Sequence, residues 1–161
     1  MGVGKTSVSR ELLSLLPDAV MLDGDWCWYA DPFTVTGETR AMVIDNITHL
    51  LGNFLSCTAY RNIIFCWVLH EDAIWESVLS RLDTSGCRVR KISLICSPQA
   101  LAGRLGRDIS AGIRKPDVLK RSLDRLPLYD KLNTEKLDVS DISARRAAEL
   151  IAGGEGFYAD A

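Results

Sequence analysis

A chain of 161 residues, 47% hydrophobic and 25% charged, has material for one soluble domain with a sizeable core. Its formal net charge of −2 implies no strong polyanion partner and argues against a basic nucleic-acid groove. The five cysteines, Cys27, Cys57, Cys66, Cys87 and Cys96, show no C-x-x-C spacing. With no apolar run near the ~20 residues of a membrane span and no signal-peptide pattern, reduced core thiols in a cytoplasmic protein with no membrane partner are expected.

The chain opens on Gly2-Val3-Gly4-Lys5-Thr6-Ser7, the end of a P-loop or Walker A pattern, G-x-x-x-x-G-K-[ST]. The residue types follow from the chemistry. Backbone N–H groups must curl around a polyphosphate, so a side chain at Gly4 would obstruct them. Lys5 brings a positive charge to the outer phosphates, Thr6 offers a hydroxyl to Mg²⁺, and the helix that starts here points its positive end at the same anion. The first Gly of the pattern would fall two residues ahead of Met1. The strand that usually feeds such a loop is also missing from the sequence. The expectation is a chain cut inside its P-loop, poorly soluble and weak in ATP binding until an upstream strand is restored.

Residues 6–16 read as a helix with Val8, Leu12, Leu15 and Leu16 on one face. Residues 19–22 are a short strand ending in Asp23-Gly24-Asp25, with Trp26, Trp28 and Tyr29 close behind. After a loop over 30–37, residues 38–59 form a long helix with Thr36 or Gly37 as its cap, and with Met42, Ile44, Ile47, Leu50 and Leu51 inward. Residues 62–69 are apolar on both faces, as a buried parallel strand must be, and a helix follows to about 82. Residues 88–96 read as a further strand, and Ser97-Pro98 starts the next helix. Between 104 and 114 Arg104, Arg107 and Arg114 are interleaved with Gly103, Gly106 and Gly112, a combination of charge and hinges that suits a mobile lid. A helix over 115–126 is broken by Pro127. Residues 136–139 are the last strand, 142–152 the last helix, and 153–161 a loose tail.

Strands that alternate with helices predict an α/β fold, a parallel sheet with helices on both faces in three αβα layers, its first strand missing from the chain. In such sheets ligands sit at the carboxyl ends of the strands. There the sequence places Asp23 and Asp25, then His70 and Glu71, Ser97, and Ser140 and Asp141. Two carboxylates at i and i+2 beside a P-loop can divide the labour, one supporting Mg²⁺ and the other accepting the proton of an attacking hydroxyl. Trp26, Trp28 and Tyr29 suit either a substrate wall or a cover for the core.

With these residues the chain resembles the P-loop small-molecule and nucleotide kinases, such as shikimate kinase, gluconate kinase and chloramphenicol phosphotransferase. The element order of most of the chain carries the resemblance, and in motifs only residues 2–7, 23–25 and 104–114 do. It implies transfer of the γ-phosphoryl group of ATP, with Mg²⁺, to a hydroxyl or phosphate of a small molecule or nucleotide, by a monomer or homodimer. Carried over residue by residue, Gly2, Val3, Gly4, Lys5, Thr6 and Ser7 would hold the nucleotide with Arg107. Thr6 and Asp23 would hold the metal. Lys5, Asp25, Arg104 and Arg114 would be catalytic, the arginines closing from the lid. The strand over 62–69 lacks the terminal Asp many P-loop proteins use for Mg²⁺, and the shikimate-specific arginine and glycine pattern is not evident, so the acceptor is not readable.

Three other readings compete. Asp83-Thr84-Ser85-Gly86 and Glu135-Lys136-Leu137-Asp138 echo GTPase motifs, but the first follows residues of helical spacing and the second has Glu where Asn should read guanine. A non-catalytic nucleotide-binding protein or inactive fragment is the second. A polynucleotide kinase is the third, and it conflicts with the acidic balance.

Overall fold

The structure, a computed structural model, describes residues 2–154. Its elements follow in the order α1 Lys5–Leu15, β1 Ala19–Asp23, a 3₁₀ turn Gly24–Trp28, α2 Gly37–Ser56, β2 Asn62–Cys66 and α3 Asp72–Leu79. Then come β3 Ile92–Ile95, α4 Pro98–Ser110, α5 Asp117–Asp124, α6 Leu126–Asp130, β4 Glu135–Asp138 and α7 Ala144–Gly153. The alternation read from the sequence holds. Met1 and residues 155–161, most of the expected tail, lie outside the described residues.

Local chemistry explains the helix starts. Thr36 and Thr39 form a reciprocal cap on α2: the Thr39 N–H donates to Thr36 Oγ1 at 3.1 Å, and the Thr36 N–H donates to Thr39 Oγ1 at 2.9 Å. Ser97 accepts from the Ala100 N–H at 3.1 Å, ahead of Pro98 in the first turn of α4. The buried stripe of α2 is Val43, Ile47, Thr48 and Leu51. Each large apolar side chain in it contributes roughly 1.5–3 kcal/mol by leaving water. The expected inward positions Met42 and Leu50 are instead 45% and 37% exposed, because the helix turns its 43–47–51 line to the sheet.

β1 and β2 pair in parallel from Ala19↔Asn62 to Asp23↔Cys66, and β3 and β4 pair in parallel from Ile92↔Glu135 to Ile95↔Asp138. The expected single sheet is thus two two-stranded sheets. The second and third strands are shorter than expected, since each pairs only over the length of its partner, while β1 and β4 fall within one residue of expectation. Residues 67–69 pass beyond β1. Residues 88–91 precede the β3–β4 pairing, and there Arg90 is committed to Glu135 at 3.0 and 2.6 Å and to the Ile151 carbonyl.

The faces of the first sheet are covered differently. Met21, Ile64 and Cys66 join a core with Val8 and Leu12 of α1, Leu101 and Leu105 of α4, and Ala147 and Ala148 of α7. Leu22, Ile63 and Phe65, one residue out of phase, join α2 and Val78 of α3 in a second cluster. Between β2 and β3 lies a slot of ≈380 Å³, bordered by every residue from 62 to 67 and from 92 to 94 and floored by Val8 and Leu12.

Two further expectations change. The expected hinge glycines at 103 and 106 sit inside α4, which carries residues 104–110; only the stretch between α4 and α5 is irregular. The expected helix break is present but falls at Arg125, between α5 and α6, ahead of Pro127. Pro127 itself occupies the first turn of α6, where a missing N–H costs no bond.

Candidate active site

The loop ahead of α1 is shaped by two left-handed glycines. Gly2 has φ 80° and Gly4 φ 104°. A Cβ at Gly2 would lie 2.5 Å from Leu105 Cδ2, so α4 packs against bare backbone there. Gly4 is the residue before α1 and carries no side-chain cap, which leaves the first N–H groups of the helix directed to the cleft.

Thr6 donates its hydroxyl to Asp23 Oδ2 at 2.7 Å. Asp23, only 6% exposed, accepts the Asp25 N–H on its other oxygen at 3.1 Å. Asp25 itself is exposed. Gly24 holds the turn against the core, since a Cβ there would lie 2.5 Å from the Trp67 ring. Lys5 is half-buried. Burial pushes its pKa below the usual lysine value, Asp25 and Asp23 oppose that shift, and Arg114 adds to it.

These groups border one cleft of ≈550 Å³, formed by Gly2, Val3, Gly4, Lys5, Thr6, Ser7, Asp23, Asp25, Arg104, Arg107 and Arg114. The residues given nucleotide, metal or catalytic roles in the sequence reading all border it, whereas His70, Glu71, Ser97, Ser140, Asp141, Trp26, Trp28 and Tyr29 do not. The arginines differ in what they do. Arg104 donates to the Val3 carbonyl at 3.0 Å, to the Val139 carbonyl and to the Ser140 carbonyl at 3.3 Å, so it ties the phosphate loop to the end of β4. Arg114 donates to Asp108 Oδ2 at 2.9 Å. The sequence reading missed Asp108, and it missed the wall made by Ile142, Ser143, Ala144 and Ala147. Ser143, whose Oγ accepts from the Arg146 N–H, is a helix-cap signal that marked the start of that wall.

The donor set fits Mg²⁺: a hydroxyl and a carboxylate, both hard oxygens, already face each other at the phosphate loop, and the metal's remaining positions suit water and phosphate oxygen. Among the described residues no group of three or more His, Cys, Asp or Glu is placed to hold a metal ion. His70 lies apart from the cleft lining, with its Nε2 3.4 Å from Glu71.

No protein-family model and no curated protein sequence matches the chain. Solved structures do. The tunicamycin resistance protein of Deinococcus radiodurans is similar with a TM-score of 0.71 at 21% identity, over 98% of this chain and 91% of that one. A gluconokinase from Sinorhizobium meliloti is similar with a TM-score of 0.65 at 17% identity, over 96% and 86%. A protein of Chloroflexus aurantiacus, provisionally assigned as a kinase, is similar with a TM-score of 0.58 at 18% identity, over 94% and 89%. The chain therefore has the fold of P-loop kinase-type structures. No helix among the described residues is long and apolar enough to cross a membrane.

Proposed function

We propose that the chain is a P-loop phosphotransferase that moves the γ-phosphoryl group of ATP to a hydroxyl of a small molecule. The observation that carries this reading is the Thr6–Asp23 hydrogen bond of 2.7 Å at the mouth of the phosphate loop, with Lys5 and Asp25 on the same cleft. A buried carboxylate locked to a loop hydroxyl is what a metal–phosphate site needs. An exposed carboxylate two residues on is free to meet an acceptor.

The roles then divide by environment. The loop amides and Lys5 hold the phosphates. Thr6 and Asp23 would hold Mg²⁺, which when bound neutralises charge on the phosphates. Asp25 accepts the proton of the acceptor hydroxyl as its oxygen bonds to the γ-phosphorus, and ADP leaves with the electrons of the broken bond. Arg107 and Arg114 meet the transferring group from the third side of the cleft, Arg114 by leaving Asp108, and the stretch after Ser110 is the lid that moves. Arg104, already saturated by three carbonyls, holds the loop in place.

The alternating core contacts support a three-layer αβα arrangement with strand order β1-β2-x-β3-β4, in which the slot is the position of one further strand. Tunicamycin and gluconate, brought forward by the names of the similar structures, are the first acceptors to test. ATP consumption should rise with an acceptor and Mg²⁺, and Lys5→Ala should lower that rate on the order of 10²–10³-fold, as loss of a charge stabiliser does. Absence of any nucleotide binding by calorimetry, or near-normal turnover in Lys5→Ala, overturns the reading.

A further inference from the structure

The end of α4 turns the chain back toward the cleft. Gly112 takes the left-handed conformation at φ 70°. Its N–H donates to the Ile109 carbonyl at 3.0 Å, and the Ile113 N–H reaches back to the Asp108 carbonyl at 2.9 Å. Together these bonds make a Schellman turn, and it returns Arg114 to the last turn of the helix. There the Arg114 Nε donates to Asp108 Oδ2 at 2.9 Å. In such turns the residue after the glycine commonly packs on an apolar side chain three or four positions inside the helix end. Here those positions are Asp108 and Arg107, and Ile113 is left 71% exposed. The ion pair stands where an apolar clasp would.

Asp108 and Arg114 both border the cleft that holds the phosphate loop. Arg114 is also near enough to Lys5 for its charge to help push the Lys5 pKa down. An anion drawn to Lys5 therefore comes within the field of Arg114, and meets the Asp108 carboxylate in the same place. The hold on Arg114 is of a kind that can be released. Only Nε is engaged, not the two-pronged edge that makes arginine–carboxylate pairs strong. Both side chains keep about a third of their surface in water, 34% and 36%. A pair that wet changes an equilibrium by only about two- to fivefold.

We infer that Asp108 is a competitor for Arg114 built into the chain: its carboxylate holds the guanidinium while the cleft is empty, and a polyphosphate must take that guanidinium over before the segment after Ser110 closes. The deciding point is that both partners of the ion pair border the cleft, so the anion and Asp108 contend for one cation. A polyphosphate carries several charged oxygens and offers Arg114 the two-pronged bonding that Asp108 does not use. When that charge leaves, Arg114 returns to Asp108 and the cleft reopens. Asp108 thus acts through Arg114, as a positioning residue and not a catalytic one. The inference rests on the phosphotransferase reading for the presence of a polyphosphate in the cleft, and adds to it what regulates closure.

The experiment is calorimetry of inorganic tripolyphosphate binding to the full chain and to its Asp108→Asn, Arg114→Ala and doubly substituted forms, each checked for a cooperative melt. Arg114→Ala should bind more weakly. Asp108→Asn should bind about fivefold more tightly, and that gain should shrink by a factor of about two or more once Arg114 is removed, because only repulsion between Asp108 and phosphate is then relieved. In the empty protein Asp108→Asn should also speed amide hydrogen exchange at Gly112 and Ile113 and leave Leu101 and Leu105 unchanged. An equal gain with and without Arg114 reduces Asp108 to plain repulsion and overturns the inference. Weaker binding by Asp108→Asn overturns it as well, since Asp108 would then steady Arg114 on the phosphate. So does unchanged exchange, or a failure of every form to bind tripolyphosphate. The expected coupling with no ATP consumption for any acceptor leaves the competition standing and sinks the phosphotransferase. Turnover of ATP without the coupling sinks the competition alone.

Discussion

The cleft and the slot share Val3, Lys5 and Val8 as a common wall, yet they are opposite in finish. In the cleft the buried polar atoms are paired: Thr6 with Asp23, Asp23 with the Asp25 N–H, Arg104 with three carbonyls. Among the described residues no strand lies between the facing edges of β2 and β3 in the slot. The Trp75 Nε1 and Ser122 Oγ on its lining are buried without a partner in the described structure. Loop and turn bonds between residues two apart, or between a loop and the next strand, form from chain at hand. A sheet closes only when a strand of the right composition arrives. The proposed phosphate site is therefore preorganised, whereas the slot beside it is unfilled by the described residues.

The largest expected effect tests the finished region. Asp25→Asn keeps the size and the backbone bond to Asp23 but removes the proton acceptor, so kcat should fall on the order of 10²–10⁴-fold with ATP affinity little changed. Steady-state kinetics with separate nucleotide titration checks this. If ATP affinity drops while kcat persists, Asp25 serves the metal, and the division between Asp23 and Asp25 is wrong.

The second test addresses the open region. Extending the chain ahead of Met1 with a five-residue apolar strand, a Gly and one linking residue should pair both edges of the slot. Each buried unpaired backbone group costs about 1–3 kcal/mol, and each kcal/mol gained moves the melting temperature of a domain this size by about 2–4 °C. A rise of several degrees is expected without nucleotide, with tighter Mg-ATP binding. A polar strand of equal length is the control. An equal rise with both strands, or with neither, breaks the contrast between cleft and slot.

What could be read in the sequence follows the same line. The turn into α1 at Gly4, Lys5 and Thr6 was legible because it is a local device, and the caps at Thr36 and Ser97 because capping spans three residues. The pairing of Asp23 with Asp25 was legible as an i, i+2 spacing at a strand end. Strand lengths were not: β2 stops at Cys66 because Asp23 is the last residue of β1, a fact about residues far apart in the chain. The division among the arginines was hidden for the same reason. Arg104 and Arg114 look alike beside glycine, but one meets the Val3 carbonyl 101 positions away and the other turns back to Asp108 of α4. The split of the sheet was also unreadable, since every strand taken alone looked fit for a single sheet.

The smallest expected effect probes the wall that the two regions share. Burial lowers the pKa of Lys5 from 10.5, against the pull of Asp25 and Asp23. In the empty protein the folded state therefore binds fewer protons than the unfolded chain across the window between the lowered pKa and 10.5, and stability rises with pH there. A bound diphosphate acts in the opposite sense. Its negative charge favours the ammonium, so ADP binding takes up a proton wherever Lys5 is partly neutral, and ADP affinity falls as pH rises through that same window. Calorimetry of ADP binding in two buffers of different ionisation enthalpy should show net uptake in the alkaline range. Lys5→Met should show weaker binding and no Lys5-linked uptake. If the native protein binds ADP with constant affinity and no proton uptake up to pH 10.5, the Lys5 ammonium is as well solvated as a surface lysine, and the open slot behind it does not dry the phosphate site.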